Sequence, residues 1–261
     1  MKAGVATENG LELRDIPQPK PQPFQILVQV KAAGLNRADL AASRGSGGHG
    51  AVGGTVGIDW AGEVVAVGSE TKGGFKPGDR VMCAGSGGYA EYAVADWGRV
   101  VPMPDGMSFE DAATLPVALG TMHDALVTNG RLKRGESVLI QGASSGVGLM
   151  ALQIAKLLGA KLVIGTSTNA GRRARLKEFG ADLAVDTADP KWPDLVLEAT
   201  GGAGVNLMID QVSGALMNAS MRATAILGRI VNVGRLGGGK AEFDFEDEDI
   251  EREETGRRKR R

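Results

Sequence analysis

The sequence predicts an α/β fold in two parts, a β-rich, barrel-like domain followed by a doubly wound parallel sheet. Three observations carry this prediction. Short apolar or alternating runs crowd the first 110 or so residues, separated by Pro and Gly clusters that lie too close together for βαβ units. The segment Glu136 to Lys161, ESVLIQGASSGVGLMALQIAKLLGAK, reads without a break as strand, glycine turn and helix. After it, candidate strands alternate with helical stretches, the pattern of a parallel sheet covered on both faces.

In the first part, Ile26 to Ala32, Ala61 to Val67, Arg80 to Cys83 and Tyr89 to Ala95 read as strands, with turns at Pro17 to Pro23, Gly73-Gly74 and Pro77-Gly78. Ser108 to Asp111 suits a helix cap, and the run to about Asn129 bridges into the second part. There, Ser137 to Gln141, Leu162 to Thr166, Leu183 to Asp186, Leu207 to Gln211 and Arg229 to Gly234 are the expected strands. Domain boundaries are expected at 1–115, 116–241 and a charged tail at 242–261. From Phe243 to Arg261 the chain passes from an acidic to a basic block with few apolar side chains, and such a segment cannot bury enough surface to offset its ordering entropy.

Composition narrows the function. The 261 residues are 43% hydrophobic, with 30 basic against 31 acidic side chains, so no general field favours nucleic acid or an anionic membrane. Cys83 is the only cysteine, which excludes an internal disulfide framework and a cysteine-rich zinc site. The N-terminus lacks a signal-like apolar core, and no run reaches about 18 apolar residues, so a soluble, cytoplasmic chain is expected. Expected partners are small molecules, with no nucleic acid and no membrane.

The glycine turn carries the chemistry. Gly142, Gly146 and Gly148 keep the bend tight, let backbone N–H groups approach a diphosphate and let the next helix pack on the sheet. The positive end of that helix points at the same place. Ala143, Ser144 and Val147 complete the candidate cofactor-binding turn. A dinucleotide that carries an unmodified ribose calls for an Asp or Glu at the tip of the second strand, roughly 20 residues on. Here that tip reads Gly165-Thr166-Ser167-Thr168, followed by Arg172, Arg173 and Arg175. Hydroxyls and guanidinium groups suit a 2′-phosphate, so NADPH is expected over NADH, with Thr166, Ser167 and Arg172 as contacts. The alternative is that one or two of the arginines merely solvate a helix face.

GASSGVG also resembles the turn of short-chain dehydrogenases, but those need a Tyr-x-x-x-Lys pair, and Tyr89 and Tyr92 are followed four residues on by Ala93 and Asp96. Several words in order instead resemble the medium-chain dehydrogenase/reductase superfamily and, within it, the zinc-independent quinone oxidoreductases related to zeta-crystallin. They are AAGLNRADL at Ala32 to Leu40, GIDWAGEVVAVGS at Gly57 to Ser69, FKPGDRV at Phe75 to Val81, GGYAEY at Gly87 to Tyr92, and the stretch Arg131 to Ala160.

That resemblance implies a GroES-like β-barrel domain, a Rossmann domain, NADPH bound in the cleft between them, and hydride transfer to a quinone or similar conjugated carbonyl. Zinc members carry Gly-His-Glu where this chain reads Gly57-Ile58-Asp59, and a cysteine near Gly34, so no metal is expected. The resemblance places Asn36 and Asp39 in the catalytic pocket, Asn36 as a donor to a carbonyl oxygen and Asp39 as its orienting group or as a helix-cap residue. It also places Thr121 near the nicotinamide and Val233 and Gly234 along its carboxamide side. A tyrosine common in relatives is replaced here by the glycine loop around His49; a lone histidine in such a loop is more often simply solvated, and the alternative is that His49 replaces the tyrosine as a proton donor. In relatives the chain after the last of these strands forms a homodimer edge and returns to the first domain. The charged tail stands in that place here, so an incomplete first domain and doubtful dimerisation are expected, with nucleotide binding surviving better than turnover. Two alternatives follow: reduction of an enone or enal double bond, and a catalytically silent NADPH-binding protein.

Overall fold

The computed structural model describes residues 1–43 and 52–243, and the chain divides into two compact units, Met1–Gly120 and Thr121–Arg261. His49 and the charged segment from residue 244 onward lie outside the described residues.

The first unit opens with a hairpin, β1 (Lys2–Thr7) and β2 (Gly10–Asp15). The sequence reading lacks it because β2 presents mostly solvated side chains, which blurs the strand signal. The main sheet is antiparallel and contains β3 (Gln25–Ala33), β4 (Asp59–Val67), β5 (Arg80–Ala84), β6 (Tyr92–Asp96) and β7 (Val100–Pro102), in the order β6-β3-β4-β5-β7. Alternation gives each strand two faces. Ile26, Val28, Trp60, Val64, Val81 and Cys83 fill one core, while Ala61 and Met82 pack on the other side with Met103, Ala112 and Ala113. Trp60 is wholly buried, and its indole N–H donates to the Gly85 carbonyl at 2.8 Å, which satisfies its one polar atom.

Two short helices complete this unit's backbone. Helix α1 (Arg37–Ala42) follows β3, and α2 (Phe109–Ala112) starts at Ser108, whose hydroxyl accepts from the Asp111 N–H at 3.0 Å. The expected strand at Tyr89 to Ala95 is shorter than its sequence pattern. Tyr89 lies ahead of β6, where its backbone bonds Gly4 and Val56, and its ring is turned to a separate task.

Helix α3 (Pro116–His123) runs on into a π-helical turn, Asp124–Asn129, at the start of the second unit. That unit holds a parallel sheet of β8 (Ser137–Ile140), β9 (Leu162–Thr166), β10 (Leu183–Val185), β11 (Val205–Asp210) and β12 (Thr224–Asn232), in the order β10-β9-β8-β11-β12. The order reverses beside β8, which is the Rossmann arrangement. Helices α4 (Gly146–Leu157), α5 (Ala170–Ala174), α6 (Trp192–Ala199) and α7 (Met217–Arg222) supply the crossovers.

The double winding can be read side chain by side chain. Val138 and Ile140 of β8 join Leu207 and Ile209 against Ala151, Leu152 and Ala155 of α4. Leu139, between them in sequence, points to the opposite face with Ile164 and Met208, against Trp192 and Val196 of α6. Because all strands of the centre are buried on both faces, they read as continuous apolar runs rather than alternating ones. The parallel sheet and the curled antiparallel sheet together are the predicted α/β class.

Candidate active site residues in each unit

In the second unit the strand-turn-helix segment builds an anion cradle. Gly142 sits at φ 62°, a left-handed backbone that an L side chain rarely adopts, and it turns the chain sharply off β8. Thr166, at the end of β9, holds the bend from the side. Its hydroxyl accepts from the Gly142 N–H at 3.1 Å and its carbonyl accepts from the Ala143 N–H at 2.9 Å. The expectation for Thr166 is thereby changed: it is buried and braces the turn rather than standing open at the strand tip. Ser144 and Ser167 join hydroxyls at 2.9 Å, a second tie between the turn and β9.

Ser145 caps α4, its hydroxyl accepting from the Gly148 N–H at 3.0 Å and facing the Gln211 side-chain oxygen at 3.1 Å. After these ties, the N–H groups of Ser144, Gly146 and Val147 have no partner among the described residues. A Cβ on Gly148 would lie 2.6 Å from the Ala143 backbone, so this glycine is required for the helix to approach the turn. A Cβ on Gly146 would meet nothing within 4 Å. Open space in front of three unpaired N–H groups at the N-terminus of a twelve-residue helix fits a diphosphate.

Beyond β9 the three arginines part company. Arg173 is committed, donating to the Ser167 carbonyl at 2.8 Å and pairing with Asp186 at 2.8 Å. Arg175 pairs with Glu178 at 3.1 Å. Arg172 is exposed, and its guanidinium makes no contact of that kind among the described residues. At the other end of the sheet, Val233 and Gly234 follow β12 directly, and both N–H groups donate to the Asp210 carbonyl, at 2.7 and 3.2 Å. Thr121 lies half-buried in α3.

The first unit holds a different cluster. Asn36 precedes α1, and its backbone N–H donates to Asp39 Oδ2 at 2.8 Å, while the Asp39 N–H donates back to the Asn36 carbonyl at 3.0 Å. Asp39 is thus the capping residue of the first helical turn. The Tyr89 hydroxyl donates to the same Asp39 oxygen at 2.8 Å, leaving Asp39 Oδ1 buried without a partner among the described residues. Burial and this bond to Asp39 push the Tyr89 phenol well above its ordinary range. The Asn36 side-chain amide donates to Asp59 Oδ2 at 3.4 Å, and the Val117 N–H reaches Asp59 Oδ1 at 3.4 Å. Asp59 and Tyr89 were not among the sequence candidates. The signal for Asp59 is an acid at the head of a strand whose neighbours are apolar; for Tyr89 there is none, because its partner lies 50 residues away.

Asp59 is 3% exposed, and burial, aided by the Asp39 charge, pushes its carboxyl up to about 6 against the opposing bonds from Asn36 and Val117. An acid raised on folding favours the folded state while both states are protonated. Stability should therefore fall by about 2–3 kcal/mol as pH rises from about 4 to about 6, and then level off. Denaturant melts across this range check it. In Asp59→Asn that slope should be missing, and a variant retaining the full slope would assign it to another group.

Comparison with known proteins places these features. Residues 22–105 match the family described as "Alcohol dehydrogenase GroES-like domain", and residues 146–255 match "Zinc-binding dehydrogenase". The human quinone oxidoreductase is 33% identical over 231 residues, 87% of this chain and 70% of that protein. A phenolphthiocerol/phthiocerol polyketide synthase of Mycobacterium tuberculosis is 33% identical over 87% of this chain, which spans only 10% of that protein's length. Among solved structures, a mycobacterial protein complexed with NADPH superposes with a TM-score of 0.84 at 30% identity, covering 94% of this chain and 77% of that one. An NAD-dependent alcohol dehydrogenase superposes at 0.82 with 31% identity, covering 94% and 79%.

Among the described residues, donors for the zinc named in one family description are not brought together. Among the described residues no group of three or more His, Cys, Asp or Glu side chains could hold a metal, and Cys83 lies in the core of the antiparallel sheet with its thiol pushed up to about 12 by burial. Among the described residues no helix is long and apolar enough to cross a membrane. With an antiparallel GroES-like sheet, a Rossmann sheet whose glycine turn opens on an anion cradle, and a quinone oxidoreductase matched over most of its length, the chain belongs to the medium-chain dehydrogenase/reductase superfamily of oxidoreductases.

Proposed function

We propose that this protein is an NADPH-dependent oxidoreductase that transfers hydride to a quinone or a similarly conjugated carbonyl without a metal ion. The observation that carries this reading is the cradle at the head of α4, with its three unpaired N–H groups, together with the unpaired Arg172 and the lack of an acid at the end of β9. A nicotinamide cofactor bound there supplies the hydride. The N–H groups of Ser144, Gly146 and Val147 hold its diphosphate, and the exposed Arg172 guanidinium holds its 2′-phosphate.

In the first unit, Asn36 is the electrophilic residue of this reading. One of its amide hydrogens is directed at Asp59, which fixes the plane of the amide, and the other is left to donate to the carbonyl oxygen as negative charge develops. Asp39 holds the Asn36 backbone, and Tyr89 holds Asp39. A quinone suits a site with no Lewis acid, because its reduced product is aromatic and positioning supplies much of what a metal would.

Arg172→Ala tests the cofactor assignment. It should weaken NADPH about tenfold and leave NADH within about twofold, because the guanidinium it removes is exposed and bound to nothing among the described residues. Equal loss for both nucleotides, measured by fluorescence titration, would count against a phosphate-binding role. Steady-state oxidation of NADPH with simple quinones tests the reaction, and a rate no higher than buffer overturns it. Product analysis separates the hydroquinone from a reduced carbon–carbon double bond.

A further inference from the structure

A single buried amide grips the glycine turn from both sides. Gln211 follows β11 directly and is 4% exposed. Its side-chain nitrogen donates to the Gln141 carbonyl at 2.8 Å, and its side-chain oxygen accepts from the Ser145 hydroxyl at 3.1 Å. The orientation is forced, because a backbone carbonyl can only accept and so draws the NH2 end of the amide toward Gln141. The two partners bracket the turn: Gln141 is the first residue after β8, and Ser145 caps α4.

Each contact fixes something the cradle requires. The Gln141–Gly142 peptide group is where the chain leaves β8, and its N–H already donates to the Thr166 hydroxyl at 3.1 Å. With Gln211 on its carbonyl the same peptide is held at both ends, from β9 on one side and from β11 on the other. The plane that sets the direction of the bend therefore cannot swing. At the far end, the Ser145 hydroxyl has one hydrogen and gives it to Gln211, while its oxygen accepts from the Gly148 N–H at 3.0 Å. The three unpaired N–H groups flank this anchored serine, Ser144 before it and Gly146 and Val147 after it. An amide suits the position because it donates at one end and accepts at the other. A carboxylate could only accept, and an aliphatic chain could do neither.

We infer that Gln211 is a positioning residue of the cradle: by joining the Gln141 carbonyl to the Ser145 hydroxyl, it holds the turn in the shape that leaves the N–H groups of Ser144, Gly146 and Val147 open to a diphosphate. This rests on the cofactor reading above and assigns no ligand contact to Gln211 itself.

The test compares two ligands on the whole protein: NADP+, which carries the diphosphate, and adenosine 2′-monophosphate, which keeps the adenine and the 2′-phosphate but has no phosphate at the 5′ position. In Gln211→Leu and Gln211→Glu at about pH 8, the Kd for NADP+ should rise about tenfold while that for adenosine 2′-monophosphate stays within about twofold. Lowering the pH to about 5.5 protonates a buried glutamate, whose O–H can donate to the Gln141 carbonyl while its other oxygen accepts from Ser145. Gln211→Glu should then return to within about threefold of wild type at the same pH, and Gln211→Leu should not recover. Asp210, next in the chain, keeps its carboxylate on Val212, Ser213 and Asn232 and is common to all three proteins. Should Gln211→Leu fail to fold, the pH comparison in Gln211→Glu decides alone. Parallel weakening of both ligands would reduce Gln211 to a structural role, unchanged affinity would remove it from binding, and a Gln211→Glu defect that ignores pH would contradict the paired hydrogen bonds. Wild-type protein that binds neither ligand would overturn the cofactor reading itself, a result distinct from those three.

Discussion

Gly148→Ala should cost about 1–3 kcal/mol of stability and, in the protein that still folds, weaken NADPH about a hundredfold. The cause is a collision rather than a lost contact. The new methyl carbon would sit 2.6 Å from the Ala143 backbone, and Ala143 cannot retreat because it is wholly buried against the core of the second unit. Helix α4 must lift off the sheet, which pulls the N–H groups of Gly146 and Val147 away from their common focus. Gly146→Ala is the matched control. Its Cβ meets nothing in the fold, so stability should be unchanged or slightly raised, while affinity falls because the methyl group occupies the space assigned to the diphosphate. Thermal melts with and without NADPH separate the two. If Gly146→Ala bound the nucleotide as well as wild type, the diphosphate would have to lie elsewhere.

Asn36→Ala should lower kcat for quinone reduction about a hundredfold and leave the Kd for NADPH within about twofold. At the first turn of α1 the bond from the Asn36 backbone N–H to the Asp39 carboxylate survives the substitution. What is lost is the one amide group held by Asp59. The change should also leave Asp59 with fewer donors, pushing its carboxyl further up and shifting the pH range of its stability effect upward. Stopped-flow measurement of NADPH oxidation gives the chemical step directly. A kcat within a few-fold of wild type would remove Asn36 from the reaction.

The parallel sheet is legible in the sequence because its strands are apolar on both faces and because the glycine turn follows β8 immediately. The hairpin β1–β2 is not, because half of it faces water and its pairing is visible only across a turn. Thr224 to Gly228 does not read as the first half of β12 for a related reason: Ile226 and Leu227 are exposed at a sheet edge, and Leu227 at φ 62° breaks the strand pattern.

The candidate site is legible to a similar degree. Local spacing points to the turn and to the Asn36–Asp39 pair, whose mutual bonds span three residues. Contacts between distant segments are out of reach. Tyr89 on Asp39 and Thr166 beneath Gly142 join residues 50 and 24 positions apart, which no short word encodes. The arginine cluster shows the limit most clearly. Three neighbours of like charge look equivalent in sequence, yet Arg173 and Arg175 have acidic partners and only Arg172 is left to meet a ligand.

On the proposed function, the cradle at Gly142 to Gly148 binds a nicotinamide dinucleotide and its surroundings select the 2′-phosphorylated form. Isothermal titration of the purified protein with NADPH and with NADH tests it most directly. One NADPH per chain is expected, bound at least about tenfold more tightly than NADH. Heat from neither nucleotide, or tighter binding of NADH, would contradict it.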